Sequence, residues 1–106
     1  MPKFLLEVNY TIDGIKAVKS KGGSARVAAA TELIEGLGGT IESFYFAFGA
    51  TDVFVVADFP DNVSAAAAAL TVSAGGGATT RSALLLTAAE IDAAAAKDTT
   101  YQPPGS

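Results

Sequence analysis

In KFLLEVNY (3–10), Phe4, Leu6, Val8 and Tyr10 alternate with Lys3, Leu5, Glu7 and Asn9. A period of two over this run predicts a half-buried strand. Thr11 follows as an N-cap, and Ile12, Ile15 and Val18 recur at helical spacing in a short turn that Gly14 weakens. KSKGGS then breaks the pattern. Ser24 offers a second cap to a longer helix in which Val27, Ala30, Ile34 and Leu37 share one face, Glu32 and Glu35 lie outside, and Gly38-Gly39 ends the run. TIESFYFAF (40–48) and DVFVVADF (52–59) are aromatic and β-branched runs joined by Gly49-Ala50-Thr51, which predicts an antiparallel hairpin. Pro60 stops the second run, and Asp61 caps a helix through Val63, Ala66, Ala67 and Leu70 that ends at Gly75-Gly76-Gly77. ATTRSALLL (78–86) supplies a last strand. Thr87-Ala88-Ala89-Glu90 has capping-box spacing and predicts a short alanine-rich helix to about Lys97, ahead of a frayed tail.

The order β-α-β-β-α-β repeats a strand followed by a helix, and the economical solution is an α+β, ferredoxin-like split βαβ sheet with its helices on one face. Residues 1–98 are expected to form a single domain and 99–106 a flexible tail. In the hairpin both sets of alternate positions are apolar: Val53, Val55, Ala57 and Phe59 on one, Phe54 and Val56 on the other, with Phe44, Phe46 and Phe48 set against Tyr45 and Ala47. Helices cover one face only. Burying each further Phe or Val gains roughly 1.5–3 kcal/mol, so the other face is expected to meet a second sheet in a homodimer or a larger assembly. Two alternatives stand beside this one: the aromatics line a ligand cavity, or the hairpin is exchanged between subunits.

Composition narrows the chemistry. The 106 residues include no cysteine and no histidine, which removes disulfides, thiolate or imidazole catalysis, and His- or Cys-ligated metal from this chain. No metal and no cofactor is expected. A net charge of −4, with Arg26 and Arg81 the only arginines, argues against a surface that neutralises phosphate backbones, so nucleic acid is not an expected partner. No apolar run approaches the roughly 20 residues that cross a bilayer, and MPKFLLEV is too short for a signal core. The chain is read as soluble and cytoplasmic, with no membrane partner.

GATDVFVVADFPD, taken with the upstream NYTIDGIK and with LGGTIESFYFAFG after the arginine-containing helix, resembles the GYD family. These are small bacterial and archaeal proteins whose fold looks like the dimeric α+β barrels. The likeness covers most of residues 3–88, and its Gly-x-Tyr-Asp motif matches at Gly49 and Asp52, with Thr51 where the family's Tyr is typical. The resemblance implies the fold, a sheet order of 4-1-3-2 and a homodimer, and it carries no activity. Other dimeric α+β barrels include cofactor-independent monooxygenases and isomerase-like enzymes, an alternative that rests on fold alone.

The candidate site residues follow from the split βαβ arrangement, which gathers Asn9, Tyr10, Asp52 and Arg81 at one end of the sheet, with Arg26 approaching from the helix above. Such a set would hold a small carboxylate- or carbonyl-bearing metabolite, Arg81 acting as the bidentate anchor. The plainer reading, set ahead of it, has Asp52 accepting N–H bonds of the hairpin and Arg81 bridging to it or to a partner-subunit carboxylate. Tyr45 alternates away from the Phe44, Phe46 and Phe48 set and faces either a cavity or a dimer seam. KSKGGSAR (19–26) has the glycines and cations of an anion site but the spacing of an ordinary helix connection. Glu32, Glu35, Asp58 and Asp61 are read as solvated or structural. The enzyme alternative would use Tyr or Asp for proton transfer; the binding reading comes first because few catalytic groups are present.

Overall fold

The computed structural model describes residues 1–105. Among them four strands and four helices run in the order β1 (Lys3–Tyr10), α1 (Ile12–Lys21), α2 (Gly23–Gly36), β2 (Thr40–Phe46), β3 (Val53–Asp58), α3 (Asn62–Ala74), β4 (Ala78–Leu85) and α4 (Ala88–Ala95). The strands form one antiparallel sheet ordered β2-β3-β1-β4, the ferredoxin-like α+β arrangement that the element order predicts. Register fixes the two faces. Leu6 pairs with Val55 and Ser82, and Val8 with Val53 and Thr80, so the even positions of β1 share a face with the odd positions of β3. This face carries α2 and α3, and its core is built from Leu6, Val53, Val55, Ala57 and Phe59 with Ile34, Ala65 and Ala68 from the helices. Phe59 is fully buried and meets Phe4 edge to face at 5.9 Å.

The opposite face is uncovered. Its cross-strand rows read Ser43-Val56-Leu5-Ala83 and Tyr45-Phe54-Glu7-Arg81. Lys3 closes one end of this face, pairing with Glu42 and, at 3.2 Å, with Asp58. The apolar middle of both hairpin parities is therefore explained on one side by helices and left bare on the other.

Several local expectations are corrected. The segment after Thr11 is a full helix to Lys21, because Thr11 Oγ1 accepts the Gly14 N–H and the break comes only at Gly22, whose φ of 85° belongs to the left-handed region. Gly22, which also donates its N–H to Val18 O, is the N-cap of α2; Ser24 lies inside the helix and caps nothing. The strands stop at Phe46 and start again at Val53, since Phe48 has φ 53° and turns the chain two residues earlier than expected. In α3, Asp61 caps as predicted, but Ala65 and Ala68 face the core while Val63 and Leu70 stay exposed.

The capping box of α4 is formed in both directions, Thr87 N–H to Glu90 Oε1 at 2.9 Å and Glu90 N–H to Thr87 Oγ1 at 3.1 Å. Every described residue from Leu86 onward is exposed. Ser106 of the expected tail lies outside the described residues. No described helix is long and apolar enough to cross a membrane.

Candidate functional site

Alanines on two helices create the main cavity. Ala29 and Ala30 of α2 and Ala68 and Ala69 of α3 face Leu6, Val8, Val53 and Val55 across a gap that their Cβ atoms do not fill, leaving a chamber of about 110 Å³. Its wall is apolar except at three residues. Tyr10 and Arg26 line both this chamber and a wider vestibule of about 510 Å³, so they stand where the two meet. Thr80 belongs to the chamber alone, and its Oγ1 is buried with no hydrogen-bond partner.

The vestibule is shaped by a close approach of backbone. Thr11 donates its N–H to Gly77 O at 3.0 Å and its hydroxyl to Gly76 O at 2.9 Å, clipping the start of α1 to the α3–β4 turn. A Cβ on Gly14 would lie 1.8 Å from Gly77 O, so only glycine permits this seat. The residue that weakens α1 as a helix former is the one that lets the helix dock.

Electrostatics set the character of the mouth. No carboxylate of the described residues lies within 4.0 Å of Arg26. Burial pushes the Tyr10 phenol up, and the neighbouring Arg26 guanidinium offsets only part of that rise. Tyr10 thus remains a neutral hydroxyl, able to donate one hydrogen bond and accept others. The arrangement offers a cation and a hydroxyl at the edge of an apolar space.

The other sequence candidates stand elsewhere. Successive β1 side chains point to opposite faces, so Tyr10 joins the chamber while Asn9 lies on the uncovered face. There Arg81 donates to Asn9 Oδ1 and Thr51 Oγ1, each at 2.9 Å, with Glu7 Oε1 at 3.9 Å. Thr51, 5% exposed, donates in turn to Glu7 at 3.1 Å, and Asn9 donates to Ala50 O at 2.9 Å. Asp52 accepts the Tyr10 N–H at 2.9 Å, and Tyr45 is exposed on the bare face. One end of the sheet does gather Asn9, Tyr10, Asp52 and Arg81, but its two faces divide them. Arg81 has protein partners for two of its donors; Arg26 has the Tyr10 hydroxyl beside it and no carboxylate among the described residues.

Glu7 and Thr51 were not among the candidates, nor was Thr80. Glu7 carried a signal, as a charge in the middle of an otherwise apolar strand, but its partner Arg81 is visible only once β4 is placed beside β1. Thr80 carried none, because threonine in a strand is ordinary.

Among the described residues no group of His, Cys, Asp and Glu side chains is placed to hold a metal ion. The family profile described as GYD domain matches residues 4–95 of the 106. The chain belongs to the GYD domain family. No curated protein and no solved structure gives a match. In this GYD domain the hairpin turn works as a structural latch: Thr51, at the position where the resemblance puts a tyrosine, points its hydroxyl into the Glu7–Arg81 pair, and Asp52 ties the turn to the end of β1. The chamber lies on the other side of the sheet from that latch.

Proposed function

We propose that this GYD domain is a homodimeric binding protein for a small organic acid, with one ligand chamber per protomer between the helices and the sheet. The observation that carries the reading is Arg26, a half-buried arginine with no carboxylate partner among the described residues, at the mouth of an apolar chamber. A cation drawn partly out of water without a counter-charge is costly, and a ligand carboxylate held by its planar fork removes that cost. Tyr10 adds a neutral donor beside it. The anchor is Arg26 rather than Arg81, whose donors are engaged by Asn9 and Thr51.

The dimer half of the proposal rests on the bare sheet face. Leu5, Phe54, Val56 and Ala83 form an apolar centre flanked by charged residues, the composition of a surface that a second copy covers by two-fold symmetry. A cytoplasmic setting belongs to the same proposal, in keeping with a chain that has no cysteine. Binding is preferred to proton abstraction because no Asp or Glu lines the chamber and a phenol pushed upward is a poor base near neutrality.

Native mass spectrometry of the purified chain tests both halves together. The expected result is a dimer that carries a reproducible small added mass, or takes one up from a panel of short-chain carboxylic acids, and loses it in Arg26→Gln. A monomer at micromolar concentration overturns the dimer. A dimer that binds no member of the panel overturns the chamber's role.

A further inference from the structure

The vestibule outside the chamber carries charge of both signs. Asp13 and Ala17 of α1 both line it, and positions four apart share one helix face, so the face bearing the Asp13 carboxyl is the one turned to this space. As a first-turn residue Asp13 favours its own helix dipole, but it enters none of the ion pairs among the described residues. Beside it lies the end of α3. Thr11 clips the start of α1 to Gly76 and Gly77, and Thr71, Val72 and Gly75 bring the C-terminal turn of α3 to the same space. No basic residue stands in that last turn, so the negative end of the α3 dipole has no cation of its own. Arg26 is the one cation among the lining residues, and no carboxylate lies within 4.0 Å of it. The guanidinium and the Asp13 carboxyl thus border one space without pairing.

We infer that the ligand is an α-amino acid with a small branched apolar side chain. The inference rests on the reading of the chamber as an acid-binding site. The carboxylate sits on Arg26 and Tyr10, the ammonium turns to Asp13 and the α3 end, and the side chain enters the chamber against Ala30 and Ala68. A simple acid would use only the first of these contacts. Its carboxylate would share the vestibule with an unpaired carboxyl and a negative helix end, a repulsion that an ammonium group turns into attraction. Volume limits the side chain. A dry cavity of about 150 Å³ takes benzene, so the chamber of about 110 Å³ takes roughly three or four carbons and no aromatic ring.

Two probes isolate the ammonium contact: L-leucine and 4-methylpentanoate, which share carboxylate and carbon skeleton and differ only by the amino group. Their affinities are measured by calorimetric titration on the full chain, on Asp13→Asn, on Asp13→Glu and on Arg26→Gln, with folding of each variant checked by its amide spectrum. The wild type is expected to prefer leucine at least about tenfold, the span of one hydrogen bond to a charged group. In Asp13→Asn that preference is expected to fall about tenfold, while 4-methylpentanoate binds at least as tightly as before because a negative charge near its carboxylate has gone. Asp13→Glu restores the preference. Arg26→Gln is expected to weaken both probes at least about tenfold. Equal affinity of the two probes for the wild type, or a leucine preference that persists in Asp13→Asn, overturns the inference and leaves the acid site standing. Failure of both probes to bind the wild type overturns the inference together with the reading on which it rests.

Discussion

Thr80 differs from valine by one hydroxyl in place of one methyl, and that hydroxyl is buried without a partner. Replacing it by valine is expected to raise the stability of the ligand-free protein by about 1 kcal/mol, the low end of the penalty for an unsatisfied buried group. The measurement is a urea midpoint with unchanged slope; a midpoint that stays or falls would mean that the hydroxyl is satisfied in the folded protein. At this scale the sequence was partly legible. Tyr10 and Arg26 stood out as polar residues at an element end and on a helix, and the structure joins them. Asn9 shares a sheet end with Tyr10 but not a face, because the pleat that separates the two acts within a single residue step, whereas Asp52 stays beside Tyr10 by accepting its backbone N–H. Arg81 drew attention as a rare cation, yet its neighbours Glu7 and Thr51 lie 74 and 30 positions away from it in the chain order of contacts that only the sheet brings together.

Three of the four described helices, α1, α3 and α4, begin at side-chain caps, and two of those caps include a carboxylate. Asp61 accepts the Ser64 N–H and Glu90 the Thr87 N–H, and these backbone bonds hold both carboxyls below their ordinary range. A depressed folded pKa contributes stability that is present above the unfolded value, near 4, and is lost as pH falls through the folded one. Asp61→Asn keeps a capping acceptor but removes the titration, so the loss of stability on acidification below about pH 4 is expected to be shallower than in the wild type. Urea midpoints at several pH values across that range check it, and parallel slopes for the two proteins would show that the α3 cap takes no part in acid unfolding. The caps at Thr11, Asp61 and Thr87, the glycine stops and the strand periods were readable because each acts over a few neighbouring residues; the cap read at Ser24 was not one, since α2 starts a residue earlier at Gly23. The buried face of α3 was not. Val63 and Leu70 outweigh alanines on any scale of size, yet Ala65 and Ala68 are the residues that turn inward.

For the whole molecule the bare sheet face is the feature with the largest consequence. Val56→Asp places a charge in the centre of that face, next to Leu5, and on the proposed dimeric reading is expected to give a monomer while the circular dichroism of the fold persists. Sedimentation velocity reads the outcome; a dimer that survives the substitution joins its subunits elsewhere. The radius of gyration, 16.8 Å against about 13 Å for a compact chain of this length, comes with α4 and the tail exposed throughout. The alanines around the chamber carry a different kind of consequence, one for descent. Each can be exchanged for serine or valine within the ordinary span of helix propensities, and each exchange changes the space offered to a ligand by one or two heavy atoms. Since one methylene in an apolar pocket shifts preference by about 10- to 200-fold, the proposed acid site would let a lineage with this backbone move from one small acid to another in single steps, without altering Arg26.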